Sequence, residues 1–446
     1  MQLSSLTIQK LSDLLTRRET SVRDIVTSCL RTIEQKDTAL HAFVSVFPDA
    51  ALAQADKLDR ELQNGRRRGP LHGIPVAIKD LADIAGQPTG FGSRVYAAGA
   101  ATTDAAFVAA LRAAGAVLIG KAQMVEFAFG SWGTNHALGS PVNPLDMTTP
   151  RAAGGSSSGS AVAVAAGMAP FAIGSDTGGS VRIPAALCGL VGLKTSTGLV
   201  PTQGVAPLSH TFDTIGPLTR SVEDAGLALN ALAGDEPAAQ PVKLSNLRLA
   251  TIDESQLEPL EPGIRTAQRE ALECLASAGC HTVTRRFPLE PPEIQARNGG
   301  IMSYEAYASL HRLVDDADLP LDPYVRSRIK AGANTSQEAY AAMLECRRRD
   351  IAAFHDAFAD VDAIFLPTTP RTAAPLDEVD ESSIPMSRLT RAGNYYDLCG
   401  LTLPGTADSQ GLPTGLQIMM RHGRDRQLLA VGAAVEAQIA GRSRGI

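Results

Sequence analysis

The stretch Gly154-Gly155-Ser156-Ser157-Ser158-Gly159-Ser160 runs straight into Ala161-Val162-Ala163-Val164-Ala165-Ala166, and a second glycine-serine cluster follows at Gly174-Ser175-Asp176-Thr177-Gly178-Gly179-Ser180-Val181-Arg182-Ile183-Pro184. Composition alone would make the first cluster a flexible linker. The alanine-valine run behind it has to be buried, and a linker has no reason to start a core helix. A phosphate-cradling loop also uses serial glycines, to aim backbone N–H groups at an anion. That motif needs Lys and then Ser or Thr directly after its last glycine; none follows Gly159, and Gly192-Leu193-Lys194-Thr195 misses the spacing. Gly155-Ser156-Ser157-Ser158-Gly159 formally fits G-x-S-x-G, a sharp turn between strand and helix that exposes a nucleophilic serine. Residues 143–151 before it have loop composition, however, and none of the eight histidines stands in a context that marks it as a base.

Taken together, the two clusters suggest a different device. Two glycines directly before Ser180 let consecutive N–H groups converge on one point, as an oxyanion hole requires. Ser180 is then the nucleophile and needs a base. Lys79 directly follows the apolar run Ile74-Pro75-Val76-Ala77-Ile78, so its ammonium is expected to lose water and its pKa to fall toward a general base's range. Read alone, Lys79 fits a surface lysine at a strand end equally well. Ser156, whose hydroxyl both donates and accepts, can carry the proton between Lys79 and Ser180.

Outward from these clusters the chain alternates short apolar runs, such as residues 74–78 and 116–119, with helical stretches such as 104–114. That alternation predicts an α/β fold with a largely parallel or mixed sheet covered on both faces. Residues 7–64 read as a helical layer with a strand-like interruption at 42–46, and residues 235–245 as a polar, proline-bearing link. Beyond it, strands are expected at 247–252 and 281–287, a helix at 263–278, and mostly helix over 300–360. Residues 363–366 and 415–419 read as core strands returning to the same sheet, closed by a helix from 426 to 439.

The 446 residues are 44% hydrophobic and 20% charged, ordinary values for a globular chain. With 41 basic and 47 acidic side chains the net charge is −6, which argues against nucleic acid as partner. The runs Arg66-Arg67-Arg68 and Arg347-Arg348-Arg349 read as solvated faces. Six cysteines without a CxxC pair predict neither a metal site nor a disulfide framework, and a reducing, cytoplasmic setting fits them. The first twenty residues read as an amphipathic helix rather than a signal peptide, and residues 160–175, broken by Gly167 and Pro170, are too short to span a bilayer.

The long run from Gly154 to Ala185 resembles the signature of the amidase signature family of serine hydrolases. The resemblance extends to Gly73-Ile74-Pro75-Val76-Ala77-Ile78-Lys79-Asp80, Gly120-Lys121, Glu126-Phe127, Gly189 to Lys194, Ile215 to Arg220, Pro367 to Pro370 and Gly411 to Gln417. It implies a Ser–cisSer–Lys triad with Ser180 as acyl-accepting nucleophile, Ser156 bridging after a cis peptide bond from Gly155, and Lys79 as base. The family places its bridging serine as far before the nucleophile as Ser156 stands before Ser180. The implied oxyanion hole is the backbone N–H groups of Thr177, Gly178, Gly179 and Ser180, with Asp176 and Arg182 as supports. The implied fold is one α/β/α domain over residues 1–446 around a mixed sheet, with no metal or organic cofactor. Within it stand the helical layer 1–65, the signature core 66–232, a variable part 240–355 and a returning core 360–440.

For the substrate, the loop Ala128-Phe129-Gly130-Ser131-Trp132-Gly133-Thr134-Asn135 corresponds to a pocket-side segment in the family and carries the chain's one tryptophan. Ile183, Tyr395, Tyr396 and Leu398 suggest an apolar acyl or aryl pocket. The expected activity is hydrolysis of a small or medium amide, with carbamates (urethanes) and esters open to the same acylation, by a monomer or homodimer. The alternative is a glutamine-hydrolysing A-type subunit of a tRNA-dependent amidotransferase, which works with partner subunits; a catalytically silent binding protein is a third reading.

Overall fold

The apolar runs become strands because both of their faces are covered: Pro75–Lys79 and Val117–Ala122 are buried at every residue. The computed structural model describes residues 2–96, 99–234, 239–383 and 385–443. In chain order its strands are β1 (Phe43–Val46), β2 (Pro75–Lys79), β3 (Val117–Ala122), β4 (Phe171–Asp176), β5 (Val191–Lys194), β6 (Thr214–Thr219), β7 (Arg248–Ile252), β8 (His281–Arg285), β9 (Ala363–Pro367), β10 (Leu398–Pro404) and β11 (Gly415–Arg421). All join one 11-stranded sheet in the order β1-β3-β2-β4-β6-β5-β10-β11-β9-β7-β8. The sheet is mixed: β2 runs parallel to β3 and β4, β7 runs parallel to β8 and β9, and the other neighbours are antiparallel.

Helices flank this sheet. The N-terminal layer consists of Ile8–Thr16, Val22–Leu40 and Pro48–Gln63, the second opened by a capping box between Ser21 and Asp24. The predicted interruption at 42–46 is β1, which pairs with β3 at the sheet's edge. The expected strands near 247–252 and 281–287 are β7 and β8, so the variable part extends the far edge of the same sheet. Of the proline-bearing link at 235–245, residues 235–238 lie outside the described residues. Among the described residues no helix is long and apolar enough to cross a membrane, and the six cysteines are free thiols.

Two features of this topology build the site. The registers Val76↔Phe171 and Ile78↔Ile173 are parallel, so β2 and β4 end on one edge and bring Lys79 beside Ser175 and Asp176. The helix Ser158–Ala165 is buried from Ser158 through Val164 and packs on β2, β3, β4 and β6. Its lack of a polar face is what a fully enclosed helix requires. A Cβ at Gly159 would clash with the Ala42 carbonyl oxygen and stand 2.5 Å from that of Gln123, so glycine is what lets the helix start so close to the sheet.

Candidate active site

Lys79, the last residue of β2, is buried, and its Nζ donates to Ser156 Oγ and to Ser175 Oγ, each at 2.8 Å. Burial pushes its pKa down from the ordinary lysine value to about 7, against the opposing pull of Asp213 and Asp176. Near neutral pH a large share of Lys79 is therefore the free amine. Ser156 follows a cis peptide bond from Gly155 and is itself buried. Ser180 stands just before the helix Arg182–Leu187, on the floor of a cavity of about 380 Å³. Its carbonyl accepts from Ser157 N–H at 3.2 Å. Among the described residues no hydrogen bond joins the Ser156 and Ser180 hydroxyls, so the second half of the expected relay stands open in this state.

The loop before Ser180 is held from several sides. Arg182 meets Asp176 in a fully buried two-pronged pair, Nε to Oδ2 and Nη2 to Oδ1, both at 3.0 Å. Burial alone would raise the Asp176 pKa, but the Arg182 guanidinium, with Lys194 and Asn394, outweighs it and holds the carboxyl well below the usual range. Thr390 Oγ1 donates to the Gly178 carbonyl at 2.7 Å.

The predicted N–H donors differ from one another. Gly179 N–H donates to Asp176 Oδ1 at 2.8 Å, which turns it into the loop. Of the four N–H groups that the resemblance implies for the oxyanion hole, Gly179's is engaged in this way, while those of Thr177, Gly178 and Ser180 have no protein acceptor among the described residues. The cause is the buried Asp176 carboxylate, whose remaining lone pairs must be satisfied. Gly179 has φ +124°, and a Cβ there would clash with Thr390 Oγ1, so only glycine fits.

Ala128, Phe129, Gly130, Ser131, Trp132 and Ile183, the predicted substrate residues, all line the cavity. Trp132 is also packed in a small core cluster with Ile183, Leu187 and Met386, so core and wall are one position. Its indole Nε1 has no partner among the described residues. Tyr395, Tyr396 and Leu398 do not line the cavity and are corrected to core residues. Tyr395 donates its hydroxyl to Asp350, and Tyr396 stacks on Phe354 with ring centres 4.5 Å apart. The short helix Arg391–Tyr395 explains the misplacement, since it offers Arg391 to the cavity and sends its far end into the interior.

Sequence reasoning missed much of the remaining wall, including Met302 from the helix Pro291–Val314, Arg328, Glu381 and Arg391. It also missed Asp213, which accepts from Thr177 Oγ1 at 2.6 Å and from the N–H groups of Leu208 and Ser209. Burial pushes the Asp213 pKa up to about 6, with these hydrogen bonds and Lys79 opposing. A lone Asp between Phe212 and Thr214 carries no local signal of that role.

The family model described as Amidase matches residues 24–429. A 2-amino-5-chloromuconic acid deaminase from Comamonas testosteroni is 34% identical, with 95% of this chain and 94% of that protein aligned. The A-type subunit of the glutamyl-tRNA(Gln) amidotransferase from Nitratidesulfovibrio vulgaris is likewise 34% identical, over 96% of each chain. Among solved structures, one described as an amidase superposes with a TM-score of 0.90 at 32% identity, covering 97% of this chain and 100% of that one. Because the match spans the sheet from its β1 edge through β11 and includes every residue of the cavity floor, this chain belongs to the amidase signature family, hydrolases of C–N amide bonds.

Proposed function

We propose that the protein hydrolyses a small amide through an acyl-enzyme, with Ser180 as nucleophile, Ser156 as proton relay and Lys79 as base. The observation that carries this reading is the buried Lys79, shifted to about 7 and hydrogen-bonded to Ser156. In acylation, neutral Lys79 takes the Ser156 proton as Ser156 takes that of Ser180. The Ser180 Oγ–carbon bond forms, and the oxyanion is met by the free N–H groups of Thr177, Gly178 and Ser180. The proton returns through Ser156 to the nitrogen as the C–N bond breaks and ammonia or an amine departs. Water then attacks the acyl group by the same relay and releases the acid. Carbamates and esters present the same carbonyl to this machinery.

A fluorophosphonate probe should label Ser180, and a panel of amides, carbamates and esters should then find a substrate. Lys79→Ala and Ser180→Ala should each lower amide turnover by at least about 10³-fold with the far-ultraviolet spectrum unchanged. Full turnover in either variant would overturn the assignment. Similarity to the A-type subunit of an amidotransferase supports a second reading, glutamine hydrolysis within a complex. Turnover of simple amides by the purified chain, with glutamine inert, decides for the first.

A further inference from the structure

Among the described residues three charged side chains line the cavity: Arg328, Glu381 and Arg391. Arg328 and Glu381 neutralise each other, Nη2 to Oε2 at 2.7 Å. Arg391 has no carboxylate partner among the described residues. Its Nη1 donates to Asn298 Oδ1 at 2.8 Å and its Nε to Ser387 Oγ at 3.1 Å, both neutral acceptors. The cavity therefore holds one positive charge in excess. Burial and the neighbouring Arg328 push the Arg391 pKa down to about 10, so it is still cationic at neutral pH.

The buried amide beside Arg391 has a donor, not an acceptor, left over. Asn298, fully buried, accepts from Arg391 with its oxygen and leaves Nδ2 without an acceptor. Placing the Asn298 amide the other way round would not help, since it would set Nδ2 against the guanidinium. An uncompensated cation in the cavity wall calls for an anionic group, because a purely apolar occupant would bury the charge unpaired.

We propose that the substrate carries a carboxylate a few bonds from its scissile carbonyl, and that Arg391 binds that carboxylate. This rests on the amidase reading for the identity of the reacting bond. The placement fits a short acid: a methyl at Gly178, beside one of the free N–H donors, would lie 3.7 Å from both Cγ and Nε of Arg391. The guanidinium stem thus packs directly on the loop that receives the carbonyl oxygen. Arg391 is assigned to binding and orientation, not to proton transfer.

The test compares half-amides of succinic, glutaric and adipic acid (carboxylate on the acyl side) and N-acetyl amino acids (carboxylate on the leaving amine), each with its methyl ester. The purified chain should favour the acid over its ester in at least one arm, by about tenfold to a hundredfold in kcat/KM, mainly through KM. Arg391→Gln should erase that ratio, and Arg391→Lys should keep part of it; melting curves check that both variants are folded. Equal handling of acid and ester in both arms, or an unchanged ratio in Arg391→Gln, overturns the proposal while leaving the amidase reading intact. Absence of both fluorophosphonate labelling and turnover would sink the amidase reading instead. Calorimetric binding of the same acids and esters to the wild type and to Arg391→Gln then decides the carboxylate question: acid-selective binding lost in the variant upholds it, and any other result overturns it.

Discussion

At the scale of single residues, the proposed chemistry depends on one amine kept out of water. In the proposed role Lys79 can accept a proton only when neutral, and burial has moved its pKa to about 7. The sign follows directly: kcat/KM should climb about tenfold per pH unit below that value and level off above it. Asp213, at about 6 and electrostatically linked to Lys79, should make the lower limb report the pair rather than either group. A profile flat from pH 5 to 9 would remove Lys79 from the role proposed for it. The residue scale also shows how a side chain can mislead. Two adjacent tyrosines near the C-terminus look like pocket material, yet Tyr395 and Tyr396 are enclosed in the core while Arg391, four residues before the first of them, reaches the cavity.

At the scale of elements, the helix Ser158–Ala165 is the least tolerant piece. It is buried from Ser158 through Val164, and its N-terminal approach carries Ser156 and Ser157. Gly159→Ala would drive a methyl into the carbonyl oxygens of Ala42 and Gln123, backbone atoms of a strand neighbour and its connection that cannot rotate away. The expected cost is about 1–3 kcal/mol of stability, read from urea unfolding midpoints, with amide turnover reduced by displacement of Ser156. A variant as stable and active as the parent would show that the helix can slide, and that the close approach is not what sets the serine. Apolar patterning located this helix and the strands β2 and β3, since a buried segment needs no partner to announce its composition. Which strands lie side by side was legible only in outline, because pairing depends on residues hundreds of positions apart.

At the scale of the whole molecule, one sheet joins both ends of the chain. β10 lies between β5 and β11, so the C-terminal strands connect the half that holds Lys79 and Ser180 to the half that holds β7, β8 and β9. Denaturant unfolding followed by Trp132 fluorescence and by circular dichroism should therefore give coincident single transitions. A chain ending at residue 397 should fail to fold, since it exposes the β5 edge and leaves β9 without β11. Two separated transitions would mean that the halves fold independently across this sheet. The arrangement also explains the use of residues 240–355. They extend the sheet at one edge and, through the helix Pro291–Val314 and Arg328, form the outer wall of a cavity whose floor comes from the other half.

The sequence by itself determined the α/β class and the family, and it pointed to the neighbourhood of the proposed reaction, because these are written in contiguous residues: two glycines before Ser180, an apolar strand before Lys79, an apolar helix after Ser156. Tertiary structure alone decided what surrounds that chemistry. Gly179 loses its N–H to Asp176 through a turn whose geometry no composition reveals. Asp213 reaches Thr177 from a different strand connection. Arg328 is cancelled by Glu381, fifty-three positions later, while Arg391 is left with neutral partners. Charge compensation is a matter of distance in space, and whether a cationic side chain is neutralised or waits for a ligand can be read only once the chain has been folded around it.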